Sequence, residues 1–311
     1  MFATLEAIEG EDIIVDYIRH LWSSKNGITR EKDLFDKIKK NITSKQIAID
    51  FSNELASSAR LYAAILNTDH EIWTQYGQTA RGHMATLNLM GMVQIRPLLL
   101  AVLDKFTDKE VQRSLRLLVS WAARFLVVGG LGGGTLETHY SQRAKEVRDG
   151  SIKDSKGLMG AMLGVVPSDS QFSASFSVAS VSKTSLARYY LRALEKQAGN
   201  EEDPELVPNP NEEEVNLEHI LPQNPSAAWH GIDADTAKSF HRRLGNLALL
   251  KSQINSQVGS DGFEEKVVFY KKSNFLLTSG LSKYKSWGTG QIEERQKMLA
   301  GLAVKAWPLK I

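Results

Sequence analysis

The chain of 311 residues contains no cysteine. That absence excludes a disulfide framework, thiolate-held zinc and iron–sulfur centres, and any cysteine nucleophile. A bound metal would have to be held by histidine, carboxylate or amide oxygen. A long apolar span is also missing. The most hydrophobic stretch, Leu115 to Leu131, carries Arg116 and Arg124 and runs into glycines, too short and too charged to cross a bilayer. The first 22 residues, MFATLEAIEGEDIIVDYIRHLW, have acidic residues where a signal peptide needs a basic segment followed by an unbroken apolar one. No export and no membrane partner are expected, and the reading is a soluble, cytoplasmic protein. Net charge of one sign is lacking too, at +2, so overall charge argues for no particular partner.

What is present is a chain of ordinary globular composition, 42% apolar and 24% charged, long enough for about two domains. Helical periodicity dominates residues 1–198. Ile13, Ile14, Tyr17, Ile18 and Leu21 share one face of a segment that closes at Gly27. Residues 33–38, 48–67, 85–89, 97–106, 108–128, 141–147 and 184–197 behave alike. The glycine run from Gly129 lacks the Gly-Lys-Ser/Thr ending of a phosphate loop and reads as a flexible connection between helices. Residues 199–210, GNEEDPELVPNP, are acidic and proline-rich and mark a solvated linker. The expected architecture is mainly α, an all-α domain over 1–198 followed by a small α+β domain over 211–311.

Charge is unevenly placed. From Ala198 to Ala237 there are ten acidic residues and no lysine or arginine, whereas Lys238 to Ile311 holds thirteen basic against five acidic, a balance of +8. A basic module suits phosphate contacts, and is equally a way to keep a surface solvated.

Three pieces of this module have an order that matters. Val215 to Pro222 is a short alternating run ending in Glu218-His219, Leu244 to Leu250 is a Gly-Asn followed by a strand-like run, and Asn255 stands nine residues after Asn246, ahead of a helix-like stretch over 262–272. Phosphodiester hydrolysis with one metal needs a histidine to take a proton from water and hard oxygen ligands for a divalent cation. Neighbouring residues on a strand face opposite ways, so Glu218 and His219 could serve one site only if the chain bends there. Each piece also has an ordinary structural reading: a hydrogen-bonded Glu-His pair, a Gly-Asn turn, a helix-capping asparagine.

At these residues the sequence resembles the HNH, or ββα-metal, endonuclease superfamily. EHILPQ, HRRLGNLALL, the asparagine nine residues on, GFEEKVVFY and the terminal KAWP are similar to the C-terminal nuclease domain of GmrSD-type, modification-dependent restriction proteins. DYIRHLWSSKNGITREKDLFDKIK and ARYYLRALE resemble the helical region ahead of that domain. The resemblance implies a magnesium- or manganese-dependent DNA endonuclease acting against foreign, modified DNA. It assigns His219 as general base, Asn246 as the asparagine that fixes the loop carrying it, and Glu218 and Asn255 as metal ligands. Asn255 in place of the frequent histidine favours magnesium or manganese over later metals. The resemblance also implies a ParB-like nucleotide-hydrolysing partner domain, of which this sequence holds no DGQQR-like segment, so the chain reads as the C-terminal part of such a protein. The competing expectation is a catalytically silent DNA- or protein-binding module on the same scaffold.

His241, Arg242, Arg243, Lys251 and Lys266 lie in or beside the three pieces and are the expected phosphate contacts. Trp229, Trp287 and Trp307 are expected to pack rather than stack on bases. A helix over 235–244, capped by Gly245, is expected between Glu218-His219 and the second strand.

Overall fold

The computed structural model describes residues 12–130, 132–205, 215–252 and 262–311. Contacts divide the chain into two compact units. One comprises residues 1–122, 129–166 and 310–311, and the other comprises residues 123–128 and 167–309.

The first unit is helical throughout its described residues: α1 Asp12–Asn26, α2 Glu31–Asn41, α3 Lys45–Leu66, α4 Trp73–Met90, α5 Arg96–Lys105, most of α6 Asp108–Val128, α7 Gly133–Arg148 and α8 Ser155–Met162. Burial follows the period of the sequence. Tyr17 and Leu21 of α1 are buried while Val15 is exposed, and Leu98 to Val102 of α5 are enclosed all round. α8 was not expected from periodicity. It is short, and its start is set by the Asp154 carboxylate accepting the Gly157 amide at 2.7 Å. The glycine connection does not stop at a turn, because α7 begins at Gly133, after Gly129 and Gly130 have taken positive φ.

A buried polar group sits in this core. His20 is fully enclosed, its Nδ1 donating to the Tyr62 hydroxyl at 2.8 Å while its Nε2 accepts from Arg19 at 2.9 Å. Arg96 also donates to that hydroxyl, at 3.2 Å.

The second unit begins with α9 Asp169–Phe176 and α10 Thr184–Ala198, and continues with β1 Val215–His219, α11 Ala234–Phe240, β2 Leu247–Lys251, α12 Phe263–Tyr270, α13 Leu276–Ser279 and α14 Thr289–Ala306. β1 and β2 form an antiparallel pair that aligns Val215 with Lys251 and His219 with Leu247. Both expected strands are therefore present, each within or overlapping its run.

The division falls elsewhere than at the acidic segment, of which residues 206–210 lie outside the described residues. α10, expected to close the helical region, packs on α14 and on the hairpin, and α9 packs on α14 as well. The reason is aromatic: Phe172, Phe176, Tyr189 and Tyr190 all surround Trp307, with ring centroids 5.4 to 6.2 Å away. Arg124, fully buried, ties the same region together through the carbonyls of Trp307 and Pro167 and the Asp169 carboxylate. α9 was also not expected; Ser168 and Gln171 close a capping box at its start.

The helix expected over 235–244 ends at Phe240, and Gly245 is not its cap. Gly245 lies in a single 3-10 turn, Leu244–Asn246, pressed against α14. A Cβ there would lie 2.2 Å from the Ile292 carbonyl oxygen and 2.8 Å from Gln296 Cβ. Only glycine lets the two backbones approach so closely.

Two outcomes follow. Gly245→Ala should destabilise the protein by about 1–3 kcal/mol or more through overpacking, read as a lower urea midpoint. Burial, then Arg19 and Arg96, push the His20 imidazole down to about 2. His20 stays neutral when folded, while the unfolded chain takes up a proton near pH ~6.5. Its contribution to stability is full above that pH and should fall on acidification by roughly 1.4 kcal/mol per pH unit. Stability curves of the wild type and His20→Gln between pH 7 and 5 check this, the variant losing that part of the slope.

Candidate active site

The hairpin presents its two chemical residues on opposite faces, as strand geometry requires. The strand runs unbroken to His219, so the bend that would bring Glu218 and His219 together is absent within it.

On one face Glu218 is buried and points to α12. Its Oε1 accepts from the Lys266 ammonium at 2.8 Å and from the Tyr270 hydroxyl at 2.8 Å. Lys266, itself 1% exposed, also donates to the His219 carbonyl oxygen at 3.1 Å, and its Nζ lies 6.0 Å from the centre of the Trp229 ring. Burial, and then the Glu218 carboxylate beside it, raise the Tyr270 hydroxyl above its ordinary range. The phenol therefore remains a donor to Glu218.

On the other face His219 is partly exposed. Its Nδ1 lies 2.8 Å from the His241 carbonyl oxygen. A carbonyl can only accept, so Nδ1 carries the hydrogen and Nε2 is left with the lone pair. Burial lowers the His219 pKa, the His241 carbonyl opposes it, and the net shift is downward. The imidazole is thus neutral at pH 7. It lines a cavity of about 480 Å³ together with Val181, Ser182, Thr184, Pro222 and Arg242.

Asn246 fixes this arrangement. The side chain is fully enclosed. Its Oδ1 accepts the Leu221 amide at 2.8 Å and the Trp287 indole N–H at 3.0 Å, and its Nδ2 donates to the Leu221 carbonyl at 2.8 Å and the His241 carbonyl at 3.2 Å. One amide thereby holds both the residues following His219 and the carbonyl on which His219 rests.

Residues 166–302 match the family model described as GmrSD restriction endonucleases, C-terminal domain. That segment is similar to the C-terminal domain of GmrSD restriction endonucleases. No curated protein matches the chain. The GmrSD match starts within a residue of the second compact unit, so α9 and α10 belong to the domain that carries His219.

Within the matched segment the expected site residues separate. His219 and Asn246 are brought together, Glu218 faces away, and Asn255 lies outside the described residues. Of the expected phosphate contacts, Arg242 and Lys251 are exposed. Lys266 is not available for that role, being enclosed and ion-paired to Glu218. The His241 ring is buried, with its Nδ1 on the Lys238 carbonyl at 3.0 Å. Arg243 is engaged internally, on Gln296 Oε1 at 2.9 Å and the Ser177 carbonyl at 3.0 Å. Trp229, Trp287 and Trp307 are packed.

The implied magnesium or manganese ion does not fit the described residues as they are arranged. The Glu218 oxygen it would use already holds an ammonium and a phenol. A divalent ion about 4 Å from that ammonium meets a repulsion on the order of 8 kcal/mol at an effective dielectric of about 20. Among the described residues no group of three or more His, Cys, Asp or Glu could hold a metal.

Sequence reasoning missed Tyr270, the His241 carbonyl, and the pair Arg295 and Gln296. Arg295 donates to the carbonyls of Gly245 and Leu247, each at 2.7 Å, and Gln296 Oε1 accepts the Gly245 amide at 3.2 Å. The signal was available: Arg295 and Gln296 fall on the stripe Ile292, Leu299, Ala300, Ala303 of α14, all buried.

Asn246→Asp should separate the two halves of the clamp. The acceptors for Leu221 and Trp287 survive, while a carboxylate oxygen replaces the donor facing two carbonyls. A loss of about 1–3 kcal/mol for each group left unsatisfied is expected, measured by chemical denaturation.

Proposed function

We propose that the GmrSD domain of this chain is a DNA endonuclease in which His219 is the general base. The observation that supports it is the fixed tautomer: Nδ1–H on the His241 carbonyl leaves Nε2 as an acceptor in a side chain that lines a cavity. A water molecule there gives its proton to Nε2 as its oxygen bonds to phosphorus. The bond from phosphorus to the leaving oxygen breaks, and that oxygen takes a proton from solvent. The His241 carbonyl stabilises the imidazolium that forms, and Asn246 holds that carbonyl in place.

Arg242 lines the cavity and is exposed, and its Nη1 donates to Ser182 Oγ at 3.2 Å. It is the residue best placed to receive a DNA phosphate, with Lys251 as a second contact. The family reading extends this to defence against foreign, modified DNA beside a ParB-like nucleotide-hydrolysing domain. No described helix is long and apolar enough to cross a membrane.

Plasmid cleavage by the wild-type chain, with magnesium, manganese and EDTA in separate reactions, tests the activity. His219→Ala should lower the rate by ~10²- to 10⁴-fold with DNA binding retained. Because the His219 pKa lies below its ordinary value, the rate should be level through neutral pH and fall only on the acid side of ~6.5. Arg242→Ala should weaken binding similarly on all sequences and reduce the salt slope by roughly 0.9. A wild-type chain that binds DNA and never cuts it would make the silent binding module the correct reading.

A further inference from the structure

Lys266 lies on the inward stripe of α12, beside Phe263 and Tyr270, both buried. Its place is unusual for a lysine, a residue type seldom fully enclosed unless paired. The ammonium is held by two oxygens from adjacent residues of one strand end, the Glu218 carboxylate at 2.8 Å and the His219 carbonyl at 3.1 Å, with the Trp229 ring on its apolar side. Tyr270 gives the same carboxylate oxygen a second hydrogen bond. This is the oxygen environment that a hard cation would take, and a protein cation already fills it.

We propose that Lys266 is the resident cation of the β1 end, and that it keeps Glu218 from ligating a divalent metal ion for as long as it is in place. A carboxylate that is buried, neutralised and doubly hydrogen-bonded has little to gain from a second cation, and the incoming charge would face the ammonium at short range. Metal could reach Glu218 only if the Lys266 side chain leaves, so Lys266 and a divalent ion compete for one position. The inference concerns cation binding alone and stands apart from whether the domain cleaves DNA.

The test is manganese binding to the full chain, read by electron paramagnetic resonance without any nucleic acid. Wild type and Glu218→Gln should bind manganese alike, within about twofold, because Glu218 is not a ligand while Lys266 holds it. Lys266→Met should bind at least about tenfold more tightly, and adding Glu218→Gln to that variant should abolish the gain. Loss of a wild-type manganese site in Glu218→Gln, or no gain in a folded Lys266→Met, would overturn the proposal. Should Lys266→Met or Glu218→Gln fail to fold, as seen by circular dichroism, the wild type alone decides. The Lys266 ammonium resonance in a nitrogen-15 spectrum should stay protected and unshifted on adding magnesium; its release into exchange with water would show magnesium taking the same position, as competition requires, whereas a magnesium-induced shift of an ammonium still protected would place metal beside Glu218 with Lys266 present and would refute the proposal.

Discussion

Four backbone and ring groups meet on the side chain of Asn246, and the candidate site depends on that meeting. The amide has two acceptor positions and two donors, and all are used on groups that would otherwise be unsatisfied in the interior. A buried amide with every position filled admits one orientation, so the strand end, the His241 carbonyl and the Trp287 ring are fixed relative to each other. The turn carrying Asn246 is held in its own right by α14, where Gly245 gives the closest possible approach and Arg295 and Gln296 bind the backbone that no strand or helix satisfies.

β1 then divides its chemistry by face. A buried carboxylate requires a counter-charge, and Lys266 supplies it on the core side, together with a hydrogen bond to the His219 carbonyl. The imidazole on the opposite side needs no charge to be stable; it needs a donor–acceptor assignment, and the His241 carbonyl provides one. The same alternation that lets a strand have a wet and a dry side thus keeps the neutral imidazole apart from the ion pair.

Much of this was legible in the sequence. Helical spacing located most of the long helices, and the Glu-His and Gly-Asn runs located both strands, because each has an apolar period that a core must satisfy. That His219 and Asn246 come together was legible from their motif. The face taken by Glu218 was legible only as a condition, the bend, which the strand does not meet. Lys266, Arg295 and Gln296 were harder: composition scores a lysine or arginine as surface, yet each sits on a stripe of apolar residues at helical spacing, and that placement signals an internal partner. The short helices α8 and α9 escaped because two turns hold too little periodicity, although the Ser168–Gln171 pair was visible as a cap. The association of α9 and α10 with the nuclease-like half was beyond local pattern, since it depends on aromatic contacts with Trp307, more than a hundred residues downstream in sequence.

That long-range association changes what counts as the smallest autonomous piece of the protein. The segment between α9 and α10 pairs with the residues just after α11: the Val181 amide bonds the Arg242 carbonyl at 3.0 Å, the Leu244 amide bonds the Ala179 carbonyl at 3.2 Å, and Ser180 bridges to Arg243. Val181, Ser182 and Thr184 form one wall of the cavity beside His219. A fragment cut at the acidic stretch would retain every residue of the recognisable motif and yet lack that wall, the two helices behind it and most of the aromatic shell of Trp307. By its contacts the main stretch of that unit begins near Pro167, well ahead of the residues by which it is recognised, and the unit also takes in residues 123–128, whose Arg124 binds the Trp307 carbonyl.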